Sequence, residues 1–371
     1  MTLPAVPAYG TSTLADLLPS VAGAIGQPGF DNVLELPSAD RYVVLLVDGL
    51  GYELLRRHTP TAPLLGGLLT RNGSRPITVG APSTTATSIT SLGTGLTPGQ
   101  HGVAGYTFRY AGALLNALLW APGLHGLDVQ PQLTMFERLA KAGVYCATVT
   151  PARFRGSGLT SCALRGAHFF GYADDSPTAW RVEYAARAAQ SADRSLVYLY
   201  ERDLDHTGHK LGVASPQWQA QLSRVNDLVA QLRDELPRDV RLIVTGDHGM
   251  VDVPGHARLT IEAEPDLAAG VQLVGGESRF RQLYTTQPEA VAQRYRDRLG
   301  ERAWVLTRAE AIDAGWFGPV PSRLADRFGD VLVAMADDGA LMTTTQPNEF
   351  GLVGMHGSLT PAELTVPVLV G

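Results

Sequence analysis

The chain has 371 residues, 45% of them hydrophobic and 18% charged, with a formal net charge of −6. That length exceeds what one small core needs, and the apolar share excludes a mostly disordered chain. An acidic chain without a long Lys/Arg cluster is a poor tracker of phosphate polymers, so no nucleic-acid polymer binding is expected.

Cys146 and Cys162 are the only cysteines, which rules out a disulfide framework and predicts two buried, reduced thiols. The opening segment, Met1 to Gly10, lacks a basic stretch followed by an apolar core, and no run approaches the roughly 18 apolar residues of a membrane span. These features predict a cytoplasmic protein with no membrane contact, and nothing in the sequence assigns an oligomeric state.

Taken in chain order, apolar positions at Leu14, Leu17, Leu18, Val21 and Ile25 predict a helix over 11–26, ended by Pro28 and Gly29. Residues 42–47 form an unbroken apolar run closed by Asp48, the mark of a strand buried on both faces. An amphipathic helix over 51–69 and a short strand over 75–78 follow. They lead to a hydroxyl-rich stretch, 80–95, in which Pro82 and Ser83 or Thr84 suit a helix entry. A loop is expected at 98–102 and a hairpin within 106–120.

Helix over 134–143, strand over 144–149, helix over 179–191, strand over 195–200, helix over 216–236 and strand over 240–245 complete an α/β alternation. The fold class predicted is therefore α/β, a doubly wound, mostly parallel sheet with helices on both faces. Its active groups should gather at the carboxyl ends of the strands. Beyond Val253 the pattern changes to alternating runs at 259–273 and 279–286, then a helix over 288–299. Residues 257–345 are read as a small inserted α+β subdomain, with 1–256 and 346–371 as the catalytic core. Thr365–Val370 is the last strand, and Pro367 suggests that it lies at an edge.

Strand ends carry the chemistry. Asp48 closes the first strand, Asp205 and His209 follow the 195–200 strand, Asp247 and His248 follow the 240–245 strand, and His356 sits in a glycine-rich loop. Each signal alone is weak: a turn carboxylate, a helix cap or a surface imidazole explains any one of them. Together they match a two-metal centre, in which ions about 4 Å apart clamp the attacking and leaving oxygens of a phosphoryl displacement. Two divalent ions would also supply the positive charge that an anionic substrate requires.

Asp48, the Thr85 region, Asp205-x-x-Gly-His209, Asp247-His-Gly and Gly354-Met-His356-Gly, in this order, resemble the motif set of the nucleotide pyrophosphatase/phosphodiesterase family within the alkaline phosphatase superfamily. The resemblance implies that Asp205, His209 and His356 hold one Zn²⁺, that Asp48, Asp247 and His248 hold a second, and that Mn²⁺ or Fe could replace zinc. It selects Thr85 as metal-bound nucleophile, from Pro82 ahead of it and Thr94-Gly95 after it, with Thr84 and Thr87 as rivals. Ser88, one turn on, is the expected contact to a non-bridging phosphate oxygen, where the resemblance calls for an asparagine.

The implied activity is hydrolysis of phosphodiester or pyrophosphate bonds in small, anionic, nucleotide-like substrates through a phosphothreonyl intermediate, with leaving-group pockets on the inserted subdomain. Competing readings are a phosphomonoesterase, a phosphonoacetate-hydrolase-like C–P hydrolase, and a catalytically silent binder of a phosphorylated metabolite. Arg109, Arg153 and Arg155 are candidates for a phosphoryl clamp, and Tyr106, Phe108, Trp120 and Tyr172 for stacking on a base. His101 is expected to serve the loop structurally.

Overall fold

In the computed structural model, which describes residues 4–371, seven strands build the central sheet. Met1 to Leu3, the start of the segment assessed for a leader, lie outside the described residues. The strands are β1 (Arg41–Val47), β2 (Arg75–Thr78), β3 (Tyr145–Pro151), β4 (His168–Tyr172), β5 (Ser195–Glu201), β6 (Val240–Gly246) and β7 (Thr365–Val370). Their spatial order is β2-β7-β6-β1-β5-β3-β4. β6, β1, β5, β3 and β4 pair in parallel, whereas β7 runs antiparallel to both its neighbours.

β7 is thus interior, not the edge strand that Pro367 suggested. Pro367 sits opposite Pro76 of β2, and the ladder to β6 begins one residue later, at Val368. A proline without an N–H is tolerated there because the pairing on its other side has not yet started.

The main helices are α1 (Leu17–Ala24), α2 (Tyr52–Arg57), α3 (Pro63–Leu68), α4 (Thr85–Thr94), α5 (Met135–Lys141), α6 (Thr178–Ala189), α7 (Asp203–Leu211) and α8 (Pro216–Glu235). The single helix expected over 51–69 is two. The residue before Pro60 is steered out of the helical region, and Pro63 starts a new helix at its first position.

Alternation along β1 feeds two cores. Tyr42, Val44 and Leu46 pack with α1, α4 and α5, while Val43, Leu45 and Val47 pack with α2, α3, α6 and α8. All six are fully buried, and each aliphatic among them contributes about 1.5–3 kcal/mol on leaving water. A strand clamped on both faces holds its C-terminal residue, Asp48, in a fixed place.

Four antiparallel strands, Leu273–Glu277, Phe280–Tyr284, Val331–Met335 and Ala303–Thr307 in spatial order, make a second sheet. The helix Pro288–Leu299 covers one face of it, and Phe280, Leu332 and Ala334 from the other face join the main core. The extended run expected from Leu259 is interrupted. After the three-residue strand Arg258–Thr260 come a 3-10 turn and the short helix Pro265–Ala268, which Pro265 opens. Arg279 at the hairpin tip donates from Nε and Nη2 to both oxygens of Glu363 at 2.8 and 2.7 Å, and the pair is fully buried. Glu363 Oε1 also accepts from Ser358 N, and its backbone oxygen accepts from Gly249 N.

Candidate metal centre

The site lies at the carboxyl ends of β1, β5 and β6, where an open parallel sheet presents its functional groups. Asp48 follows β1 directly, and Asp247 and His248 follow the neighbouring β6. Gly49 N donates to Asp247 Oδ1 at 3.0 Å, locking the two strand ends together. Gly49 has φ of +74°, and a Cβ there would stand 3.1 Å from Asp205, so a side chain at this turn would displace a site carboxylate.

Asp205 and His209, four residues apart on α7, share a face of that helix, with His209 Nε2 at 3.3 Å from Asp205 Oδ1. The other ring nitrogen of His209 lies 2.8 Å from the Gly354 carbonyl oxygen, and His356 Nδ1 lies 2.9 Å from that of Ser83. Both rings are thereby oriented with Nε2 as the available nitrogen, the arrangement seen around metal-binding imidazoles.

Two sets of ligand atoms lie within 4.8 Å of one another: Asp48, Asp247 and His248 in one, and Asp205, His248 and His356 in the other. The first is the trio expected from the sequence. In the second, Asp205 and His356 meet as expected, His248 stands between the sets, and His209 adjoins through Asp205.

The donor chemistry suits divalent cations. Asp205 Oδ1 and Asp247 Oδ2 are buried without a hydrogen-bond partner, an expensive state for a carboxylate oxygen. Burial, then the charge of Asp48, pushes both carboxyls well above their usual range. Burial also drives Asp48 upward, but the hydrogen bond and charge of His248 outweigh it and hold Asp48 below its normal value. Burial lowers His248, yet Asp247 and Asp48 raise it to about 10. His356 is held well below the ordinary imidazole value by burial and then by His248, and His209 is lowered chiefly by burial. Three buried carboxyls crowded around the single raised imidazole of His248, with His209 and His356 kept neutral beside them, are a set that cations would relieve.

Thr85 opens α4. Its Oγ1 lies 3.2 Å from His248 Nε2 and 3.5 Å from Asp48 Oδ1. Of its rivals, Thr87 is fully buried and donates to the Val103 carbonyl, and Thr84 is the residue before the helix. Geometry therefore brings Thr85 to the ligands.

Ser88 takes a different place from the one expected. It is fully buried, its hydroxyl lacks a partner, and it is absent from the cavity wall. Thr85, Ala86 and Ile89 are the residues of α4 that line the cavity, and Ser88 lies on the side of the helix turned into the core. Tyr106 lines the cavity instead.

That cavity, of about 440 Å³, is lined by Thr85 and several of the ligands together with Leu118, Phe154, Leu159, Glu277, Ser278 and Met355. Such a volume admits a small molecule. Of the three arginines considered, Arg153 lines it, whereas Arg109 donates to the Asp326 carbonyl and Arg155 to that of Phe169. Of the aromatics, Tyr106 lines it, while Phe108 and Tyr172 are buried elsewhere and Trp120 packs on Gly158. His101 is buried and bonded to Ser91, as a structural role predicts, and both cysteines are free and buried.

Sequence reasoning passed over Tyr200 and Glu277. Tyr200 donates to Asp48 Oδ2, but as one residue of an apolar run it reads as core. Glu277 belongs to no motif, and only the fold carries it to the cavity.

The doubly wound sheet, with carboxylates and imidazoles converging at its strand ends beside a helix-initiating threonine, defines an alkaline phosphatase-like fold. The type I phosphodiesterase / nucleotide pyrophosphatase family matches residues 42–359, and the chain belongs to that family. Rat ectonucleotide pyrophosphatase/phosphodiesterase family member 7 is 36% identical over 92 residues, 23% of this chain and 21% of that protein. The catalytic subunit of human GPI ethanolamine phosphate transferase 3 is 26% identical over 112 residues, 30% of this chain and 10% of its own length. These matches span only a small part of the relatives.

Murine ectonucleotide pyrophosphatase/phosphodiesterase 5 superposes with a TM-score of 0.71 at 16% identity, covering 88% of this chain and 87% of that one. Phosphonoacetate hydrolase from Sinorhizobium meliloti 1021, solved with phosphonoacetate, gives 0.67 at 18% identity and 90% coverage of both chains. At such identities the likeness is one of fold. No helix among the described residues is long and apolar enough to cross a membrane.

Proposed function

We propose that the protein hydrolyses phosphodiester or pyrophosphate bonds of small substrates, using two divalent cations and Thr85 as nucleophile. The observation that carries this reading is the Thr85 hydroxyl, 3.2 Å from His248 and 3.5 Å from Asp48, at the floor of a cavity of about 440 Å³. A solved neighbour, an inactive variant of the murine phosphodiesterase 5, was captured with AMP, which supports a small phosphate ester as substrate class.

Asp48, Asp247 and His248 would hold one ion and Asp205, His209 and His356 the other, with Zn²⁺ the metal best suited to this set and Mn²⁺ or Fe as alternatives. Ions so bound lower the pKa of an oxygen nucleophile and neutralise phosphate charge. Thr85 Oγ1 then attacks phosphorus in line as the bond to the leaving oxygen breaks, forming a phosphothreonyl ester that water cleaves in a second displacement, with net retention. Thr85 is the first residue of α4, and the backbone N–H groups of a helix's first turn would favour the charge of a phosphoryl group held there. Tyr200 fixes the Asp48 carboxylate from behind.

Thr85→Ala is expected to lower turnover by about a thousandfold or more while the metal content, measured on the purified protein, stays the same. Unchanged diesterase activity would remove Thr85 from the mechanism. Rates on 4-nitrophenyl monoester, diester and phosphonate substrates with Zn²⁺ and Mn²⁺ identify the bond cleaved and the metal used.

A further inference from the structure

Arg153 and Arg202 both line the cavity. They follow neighbouring parallel strands, β3 and β5, whose register pairs Val149 with Leu199 and so brings the last residues of the two strands, Pro151 and Glu201, level with each other. Arg202 also leads into α7: the His206 N–H donates to its carbonyl oxygen, and Arg202 shares the helix face that bears Asp205 and His209. Arg153 is tied to the same centre through two rings. Its guanidinium carbon lies 4.5 Å from the centroid of Phe154, that ring meets Tyr200 edge-on with centroids 6.1 Å apart, and the Tyr200 hydroxyl donates to Asp48 Oδ2.

Thr85 lies beside Asp48 and His248, at the ends of β1 and β6. β5 and then β3 follow β1 in the sheet, and each step adds about 4.7–4.9 Å, so the end of β3 is roughly 9–10 Å from that of β1. The Arg153 guanidinium rests on Phe154, one ring farther from Asp48 than Tyr200, and so meets an arm of the substrate, not the phosphoryl group. Acidic groups that share the lining are already engaged: Asp48 and Asp205 belong to the metal set, Glu349 is bonded to Arg281, and Glu277 accepts from Tyr106 N. The two arginines are held more loosely. Arg202 Nε lies 3.2 Å from the Asp203 carboxylate, whose side chain is 52% exposed, and Arg153 Nη1 pairs with Asp174, 59% exposed. Neither guanidinium has a further hydrogen-bond or ion-pair partner among the described residues, and exposed pairs of this kind are weak enough to yield to a better one. A planar fork of five donors matches a carboxylate or a phosphate.

We propose that Arg153 and Arg202 form a subsite for a second anionic group, phosphate or carboxylate, on an arm of the substrate, so that the protein favours substrates carrying a negative charge beyond the phosphoryl group at Thr85. The subsite rests on the reading above in that the metal ions hold that phosphoryl group, and its test keeps the two apart.

Three ligands are titrated calorimetrically into the metal-loaded protein: n-butylphosphonate, 3-carboxypropylphosphonate, which has a carboxylate in place of the terminal methyl, and propane-1,3-diphosphonate. None has a carbonyl beside the C–P carbon to accept the electron pair of that bond, so binding is read without turnover. A one-armed ligand lies to either side of phosphorus, and the result does not depend on which arm of a diester bears the charge. The wild-type protein should bind at least one charged ligand about tenfold or more tighter than the butyl compound. The double variant Arg153→Met, Arg202→Met should bring that ratio close to one, whereas Arg153→Lys with Arg202→Lys, which keeps both charges, should retain most of it. Damage to the metal centre would weaken all three ligands alike, so the ratio isolates the subsite.

Wild-type ratios near one for both charged ligands overturn the proposal whether or not the variants fold. A ratio unchanged in the double Met variant also overturns it, since the metal ions would then hold the second anion. A preference that the variant loses supports the subsite, and the tighter of the two charged ligands names its anion. Turnover of methyl 4-nitrophenyl phosphate is measured on the same protein. Cleavage with ratios near one leaves the hydrolase reading standing without the subsite; a preference lost in the double Met variant, without cleavage under Zn²⁺ or Mn²⁺, leaves the subsite standing without the diesterase reading.

Discussion

Tyr200 stands on β5 next to β1, in register with Leu46, and its hydroxyl donates to Asp48 Oδ2. That bond leaves Oδ1 for the site and fixes the plane of the carboxylate. Partners behind a ligand set its orientation and basicity, and their loss commonly costs 10- to 100-fold in metal affinity or activity. Tyr200→Phe keeps the packing and deletes the donor. It should weaken metal binding by about tenfold or more in a chelator-competition titration, with little change in thermal stability of the loaded protein. Equal affinity in variant and wild type would show that Asp48 needs no such support.

At this scale the sequence was most legible where a residue type and a strand end coincided. Asp48, Asp205, Asp247, His248 and His356 could be named because each follows an apolar run or sits in a glycine-rich turn, and the fold brings them together. Ser88 misleads because three residues fall short of a full helical turn, so it turns into the core while Ile89, four residues from Thr85, lines the cavity. Glu277 gave no signal, since a lone glutamate in an alternating strand is ordinarily a solvated face.

Among the elements, α4 bears the greatest functional demand, since its first residue must meet the ends of two strands. Its depth is set by contact with the short helix Gly158–Ala163, and a Cβ on Gly93 would approach the Ala163 carbonyl oxygen to 1.9 Å. Gly93→Ala improves helix propensity but forces the two helices apart. The steric effect should prevail, with about 1–3 kcal/mol of stability lost in urea denaturation and turnover falling in the same variant as Thr85 shifts. A stabilised variant with full activity would show that the helices can separate freely.

Strands buried on both faces announced themselves as unbroken apolar runs, as β1, β5 and β6 show. β4 did not: it is an edge strand whose residues are largely half-exposed, so neither run nor alternation marks it. Proline marks no edge in β7, yet it divides α2 from α3. Its effect depends on which neighbour needs the missing N–H, and that is a property of the pairing.

Across the whole molecule, the second sheet is fastened to the catalytic core through Arg279 and Glu363, and the same glutamate holds the backbone of Ser358, two residues from His356. Removing one partner of a buried, bidentate pair strands the other charge, so Arg279→Met should cost about 3–5 kcal/mol in denaturant unfolding. Zinc affinity should fall in the same variant, because the loop bearing His356 loses its anchor. Undiminished stability would show that the two sheets are independent.

This fastening has an implication for how catalytic variety could arise on the scaffold. A wall that also braces a ligand loop cannot be exchanged without disturbing the chemistry, which leaves the lining supplied by other segments as the replaceable part. Leu118, Phe154 and Leu159 sit there on segments that carry none of the seven metal-site residues, and Leu118 is 49% exposed. Grafting residues 117–125 and 152–160 between relatives is thus the economical route to new substrate ranges, while swaps of the second sheet would have to carry the His356 loop along with them.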